Sequence, residues 1–247
     1  MTGIGVLAGM GPRSTAPFID LLVTACQEQL GCQQDDDFPP MHILSWPTPF
    51  RVYGEGSDYD DSMRAAIAAG FQRLLSTETC LDVICMPCNS AHAYVSAKGP
   101  NRPPGVDWVG IVEATLASLP AEERDVVLWA TPGTVRSGIY QAGLNQAFNS
   151  AVTEQQQPSV SALITSVKEG NIAEASASVC SLVAQLTQSP TSCEATPTVI
   201  VACTDINPAL LAAGATKAGP CLLKLETVLL VDSAACLAAA VVSRVQM

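Results

Sequence analysis

The stretch Asp82-Val83-Ile84-Cys85-Met86-Pro87-Cys88-Asn89-Ser90-Ala91-His92 reads as a short apolar strand that runs into a thiol and then into small, polar, helix-starting residues. Its β-branched centre predicts a strand buried on both faces of a parallel sheet. Groups just past the carboxyl end of such a strand face the crevice where α/β folds take their ligands. The same device returns at Thr198-Val199-Ile200-Val201-Ala202-Cys203-Thr204-Asp205. One thiol per half suggests a weak internal duplication rather than an array of repeats.

Outward from these two stretches, strands and helices alternate. Strands are expected at Ile4–Ala8, Met41–Ser45, Val83–Met86, Val106–Ile111, Val126–Ala130, Ser159–Ile164, Val199–Ala202 and Thr227–Val231. Helices are expected at Ser14–Gln29, Asp58–Leu75, Thr134–Gln141, Glu169–Leu186 and Ser233–Val245, with Ser14 or Thr15 as the first N-cap. The pattern argues an α/β fold of helix-covered parallel sheets. The densest Pro/Gly cluster, Lys98–Gly105, marks the expected boundary. Residues 1–98 with about 208–247 would form a first α/β domain carrying Cys88, and about 105–207 a second carrying Cys203, with a cleft between them.

Composition bounds the function. The 247 residues are 48% hydrophobic, with mean hydropathy +0.28, ample for sizeable cores. A net charge of −11 disfavours nucleic acid and anionic membrane surfaces as partners, and a small anionic ligand would need local cations and backbone N–H groups. The ten cysteines are spread through apolar segments, so most read as reduced packing residues rather than a disulfide framework. The first residues lack a basic, apolar signal pattern, and the Ala-rich run Thr227–Val242 contains Asp232 and is too short for a membrane helix. A cytoplasmic location is the expectation.

Two thiols facing one crevice suit a reaction in which one removes a proton from carbon and the other supplies one from the opposite side. Both are expected at helix N-termini, whose unpaired N–H groups would lower the thiol pKa. The spacing Cys85-Met86-Pro87-Cys88 also occurs in zinc and redox sites, but no second such pair completes a metal set, and strand alternation puts Cys85 in the core. No metal is expected. His92, four residues after Cys88, could share a helix face with it, as a residue that tunes or orients Cys88 or as a purely structural histidine. The turn Gly9-Met10-Gly11-Pro12-Arg13 does not form a dinucleotide-binding glycine pattern.

Four motifs, Gly5-Val-Leu-Ala-Gly-Met-Gly-Pro12, Pro87-Cys88-Asn89-Ser90-Ala91-His92, Ala130-Thr131-Pro-Gly-Thr134-Val-Arg-Ser-Gly-Ile-Tyr140 and Cys203-Thr204-Asp205, resemble in order and spacing those of the aspartate/glutamate racemase superfamily, the aspartate branch most. The resemblance implies two pseudosymmetric α/β domains, an interdomain site, a two-base mechanism without cofactor, a small dicarboxylic amino acid as substrate and a homodimer. By the same resemblance Cys88 would deprotonate the D-enantiomer and Cys203 the L-enantiomer. Asn89, Ser90, Thr131, Thr134 and Thr204 would hold the α-carboxylate, with Met10 and Gly11 lining the cleft and His92 and Asp205 behind. Arg51 and Lys168, unless ordinary surface cations, would grip the distal carboxylate, although Phe50 stands where the family often has an acid before this arginine. Aspartate is the expected substrate. Glutamate, maleate, hydantoins, or a binding protein with weakened chemistry are the alternatives.

Overall fold

In the computed structural model, residues 3–51, 53–76, 80–95, 105–120, 125–144, 148–188 and 198–245 are described. The strand β1 (Gly3–Ala8) is buried along its whole length, because both of its faces are covered. Its alternate side chains Ile4, Val6 and Ala8 meet Phe18, Leu22 and Cys26 of α1 (Thr15–Leu30). On the other face Leu7 packs among Met63, Ile67, Phe71 and Leu74 of α2 (Ser57–Leu75). The period-two strand and the 3.6-period helices thus sort their apolar residues into two layers. β1 pairs in parallel with β2 (Met41–Ser45) and β3 (Leu81–Cys85), and β3 with β4 (Asp107–Val109), giving the order β2-β1-β3-β4.

After β4 come α3 (Ile111–Ala117), β5 (Val126–Ala130), α4 (Pro132–Ser137), α5 (Gln141–Leu144), α6 (Ser150–Glu169), α7 (Ile172–Gln188), β6 (Thr198–Ala202) and α8 (Asn207–Ala212). The chain closes with β7 (Thr216–Gly219), β8 (Leu222–Leu225), β9 (Val228–Asp232) and α9 (Ser233–Val242). The second sheet has the order β5-β6-β9-β8-β7. Its outer face, Val127, Trp129, Val199, Val201 and Leu230, is covered by α6 and α7. Its inner face, Leu128, Ala130, Ile200, Ala202 and Val231, shares one core with β1, β3, α1, α3 and α9. The two sheets are therefore joined through a continuous apolar layer. No helix among the described residues is long and apolar enough to cross a membrane.

Several expectations are corrected. The segment Ser159–Ile164 is not a strand but part of α6, because Val160, Leu163, Ile164 and Val167 fall on one helical stripe and are buried together. The helix expected over Glu169–Leu186 is α7, which begins three residues later, at Ile172, because Gly170 at φ 90° ends α6 after Glu169. The second sheet is mixed, since the hairpin β7–β8 joins β9 antiparallel. That pairing also moves residues 216–232 out of the first unit, where 208–247 had been expected, and only α9 returns, to pack on α1 and α3. Of the Lys98–Gly105 boundary cluster, all but Gly105 lies outside the described residues.

Candidate active site

Cys88 lies three residues beyond β3 and Cys203 one residue beyond β6, and both line one narrow crevice at the carboxyl ends of those parallel strands. Met10, Asn89, Ser90, Thr131, Thr134, Thr204 and Asp205, all expected at the site, share that lining, together with Phe50 and Ala202. The crevice has a volume of about 10 Å³, room for about one water. The two thiol-bearing turns are tied directly: the Thr204 hydroxyl donates to the Pro87 carbonyl at 3.2 Å, buried. The crevice abuts a wider cavity of about 440 Å³ that shares Phe50, Ser90 and Thr131 and is lined by Arg51, Arg64 and Arg136 with Glu55 and Asp60.

The Cys88 turn is built from neutral groups. The Cys88 sulfur lies 3.6 Å from the Ser90 hydroxyl. The Ile111 backbone N–H donates to His92 Nε2 at 3.1 Å, which leaves the ring proton on Nδ1 to donate to the Cys88 carbonyl at 2.8 Å. Both ring nitrogens thus engage backbone, and burial lowers the His92 pKa. His92 fixes the turn rather than serving Cys88 as a base. Asn89 donates to Ser233 Oγ at 3.0 Å and accepts from the buried Tyr140 hydroxyl, while Ser233 donates to the Val201 carbonyl at 2.7 Å. The Asn89 side chain is consequently a tie between the two sheets.

The Cys203 turn is built around a charge pair. Lys168, in the last turn of α6, places Nζ 2.6 Å from Asp205 Oδ2, with the lysine largely and the carboxylate almost wholly buried. The other carboxylate oxygen, Oδ1, is buried and has no hydrogen-bond partner among the described residues. Burial opposes the lysine charge, but the neighbouring carboxylate and the two thiols outweigh it and raise the Lys168 pKa. Gly11 is a glycine because a Cβ there would come within 3.0 Å of Asp205 Oδ1 and 3.1 Å of Lys168 Nζ. It supports the pair and does not line the crevice. The Lys168 ammonium sits 5.2 Å from the Phe50 ring centre.

The expected lowering of the thiol pKa values is corrected. Burial pushes both Cys88 and Cys203 up, and the Asp205 carboxylate adds to this at both. Backbone N–H and Ser90 contacts and the Lys168 charge act in the opposite sense without overcoming it. The segments that follow begin as 3-10 helix, Ser90–Tyr94 after Cys88 and Thr204–Ile206, which runs on into α8, after Cys203, and their N–H groups do not offset the burial. Cys85 faces the core between the sheets while Cys88 belongs to the cluster under α2, so the two sulfurs of the Cys-x-x-Cys spacing point to different layers.

The cation sites divide. Arg51 is exposed, donates to the Phe50 carbonyl at 2.9 Å and lines the wider cavity only. Thr131 caps α4, its hydroxyl accepting from the Thr134 N–H at 3.3 Å and lying 3.0 Å from the Thr134 hydroxyl. Sequence reading missed Ser233, Arg64, Arg136 and the network role of Tyr140. Ser233 carried a signal, since it too follows a β-branched strand and opens a helix after the N-cap Asp232.

The chain is similar to known proteins over most of its length. The profile of the Asp/Glu/Hydantoin racemase family matches residues 7–241. A broad specificity amino-acid racemase, RacX of Bacillus subtilis (strain 168), is 37% identical over 169 residues, covering 68% of this chain and 72% of the relative. The structure of Picrophilus torridus aspartate racemase superposes with a TM-score of 0.74 at 21% identity, covering 98% of this chain and 94% of the other. Thermus thermophilus glutamate racemase in complex with beta-chloro-D-alanine gives 0.60 at 22% identity, covering 98% and 79%.

Proposed function

We propose, for a chain that belongs to the Asp/Glu/Hydantoin racemase family and is an amino-acid racemase, that Cys88 and Cys203 are its two acid–base groups. One thiolate takes the Cα proton while the opposing thiol donates one from the other side, and the next turnover runs with the roles exchanged. The pair then titrates as a unit. The observation carrying this reading is that the two thiols, from different sheets, line one crevice whose turns are bonded through Thr204 and Pro87. Ser90, Thr131, Thr134 and the adjacent backbone N–H groups would hold the α-carboxylate and stabilise the charge that builds on it as the proton leaves. In this reading no cofactor serves as electron sink, and the active assembly is a homodimer in the cytoplasm.

For the substrate we propose a range of amino acids, aspartate among them. Lys168 is paired with Asp205 and not free to grip a distal carboxylate. Arg51 stands at the wall of the 440 Å³ cavity, a space large enough for side chains well beyond that of aspartate. The relative from Bacillus subtilis bears a broad-specificity name, which supports the same reading. The test is racemisation of both enantiomers of aspartate, glutamate, alanine and a larger neutral amino acid by purified protein. Turnover of aspartate and of neutral substrates at kcat/KM values within about two orders of magnitude is expected, since Arg51 is exposed and one charge-assisted hydrogen bond to a distal carboxylate is worth about 1.5–3 kcal/mol. Turnover of aspartate alone would restore the strict reading, and turnover of none would indicate a binding protein.

A further inference from the structure

Behind the crevice wall, where β9 runs into α9, stands the corner Asp232–Ser233. In the parallel β6–β9 ladder Asp232 lies opposite Val201, two residues before Cys203. The Ser233 hydroxyl donates to the Val201 carbonyl at 2.7 Å and accepts from the side-chain amide of Asn89, the residue after Cys88, at 3.0 Å. A single hydroxyl therefore spans the two thiol-bearing turns. The clamp is completed from both sides. Asp232 accepts from the Asn207 side-chain amide at 2.8 Å, at the start of α8, where the Cys203 turn ends. Asn89 Oδ1 accepts from the Tyr140 hydroxyl, which lies 3.4 Å from the Thr115 hydroxyl of α3. Every one of these side chains is buried.

We propose that Ser233 is a positioning residue of the racemisation, a role that rests on the two-thiol reading: it sets the separation of the Cys88 and Cys203 turns and so couples proton removal on one side of Cα to proton delivery on the other. The Thr204–Pro87 bond fixes one point of contact between the turns, and the Ser233 relay is a second that stops them pivoting about it. Removal asks only that one thiolate stand against the Cα–H. Inversion asks in addition that the opposing S–H be in reach while the charge persists, and a displacement of about 1 Å can cost on the order of 100-fold. When delivery fails, the thiol that took the proton returns one to the same face, and configuration is kept. In D2O that thiol exchanges its proton with solvent first, so the starting enantiomer comes back with deuterium at Cα.

Wild type, Ser233→Ala and Tyr140→Phe are given, in D2O, the L-enantiomer of whichever of aspartate, glutamate and alanine wild type turns over fastest. Chiral separation with mass spectrometry then follows deuterium in the recovered L-isomer and in the D-product. In Ser233→Ala inversion should fall by roughly 10- to 100-fold with KM within about threefold, while the ratio of deuterated L-isomer to D-product rises by about tenfold or more. Tyr140→Phe, which releases Asn89 but keeps the ring, should raise the ratio in the same direction, and it decides the matter where Ser233→Ala does not fold. Exchange and inversion falling in equal proportion, or an unchanged ratio in the folded variants, would overturn the proposal. Cys88→Ser and Cys203→Ser, run alongside, keep the two readings apart. Racemisation surviving in either would sink the two-thiol assignment, whereas its loss in both, with the ratio unmoved at Ser233 and Tyr140, would overturn the positioning role alone.

Discussion

The turn after β3 and the turn after β6 present the same atom from the same kind of strand end, yet surround it differently. Cys88 is held by neutral donors and acceptors, Ser90, His92 and the Asn89–Tyr140–Ser233 network. Cys203 has a buried lysine–carboxylate pair beside it, Asp205 two residues on in the same turn and Lys168 at the end of α6. The duplicated device is thus symmetric in position and asymmetric in electrostatics. A neutral environment sets thiol basicity through fixed geometry. A charge pair sets it through a balance that one substitution can tip, because removing either partner leaves the other charge buried and alone.

The largest effect should come from the symmetric part. Cys88→Ser and Cys203→Ser should each lower racemisation by roughly three orders of magnitude or more, since a serine hydroxyl is too weak an acid to exchange roles with a thiol. Cys85→Ala, which changes only the core thiol of the same turn, should stay within about tenfold of wild type once folding is confirmed. Equal losses at Cys85 and Cys88 would mean that the β3 turn acts through packing.

The asymmetric part is next. Lys168→Met removes the cation that favours both thiolates and strands the Asp205 carboxylate, so kcat/KM should fall by roughly 10- to 100-fold and its acidic limb should move to higher pH. Asp205→Asn removes the anion that disfavours thiolate, so the limb should move to lower pH, with a smaller loss. Limbs shifting in the same direction in both variants would contradict a field acting on the thiols.

How far the sequence carried this picture follows from where the signals were local. The first three strands, α1 and both thiol turns were legible because β-branched runs and helix-starting residues sit within a few positions of each other, and β2 and β5 run over the expected residues. Ser159–Ile164 misled because a helical stripe of valine, leucine and isoleucine looks like a strand in a six-residue window. The β7–β8 hairpin was invisible because its pairing rests on Leu222 to Leu225 meeting β9, a tertiary choice. Lys168 was found as a cation near the site, but its partner, Asp205, lies on another element, and no spacing rule links them. The raised thiol pKa values follow from burial, which sequence does not measure.

Specificity sharpens the same comparison on the substrate's side. Arg51→Ala should lower kcat/KM for aspartate about tenfold, the worth of one charge-assisted hydrogen bond, and leave alanine within about twofold. Kinetics with both substrates check this, and equal losses would place Arg51 in the support of the loop.

The smallest effect concerns the neutral turn's anchor. His92 is held neutral below its ordinary pKa of 6.5 by burial, so the unfolded state binds the proton more readily. Its contribution to stability is complete above pH 6.5 and is lost as the pH falls through the lower folded value. Urea unfolding of wild type should weaken over that window, and His92→Gln should cost about 1–3 kcal/mol at pH 8 while flattening the dependence. An unchanged slope would assign the pH sensitivity elsewhere.

The most direct test of the two-thiol account is exchange of the Cα proton with solvent deuterium in the single-thiol variants, given each enantiomer of aspartate separately. Wild type should place deuterium at Cα from either enantiomer. Cys88→Ser, with Cys203 left, should exchange only the L-enantiomer and Cys203→Ser only the D-enantiomer, neither variant forming the opposite isomer. Racemisation surviving in either variant, or exchange of both enantiomers by one remaining thiol, would contradict it.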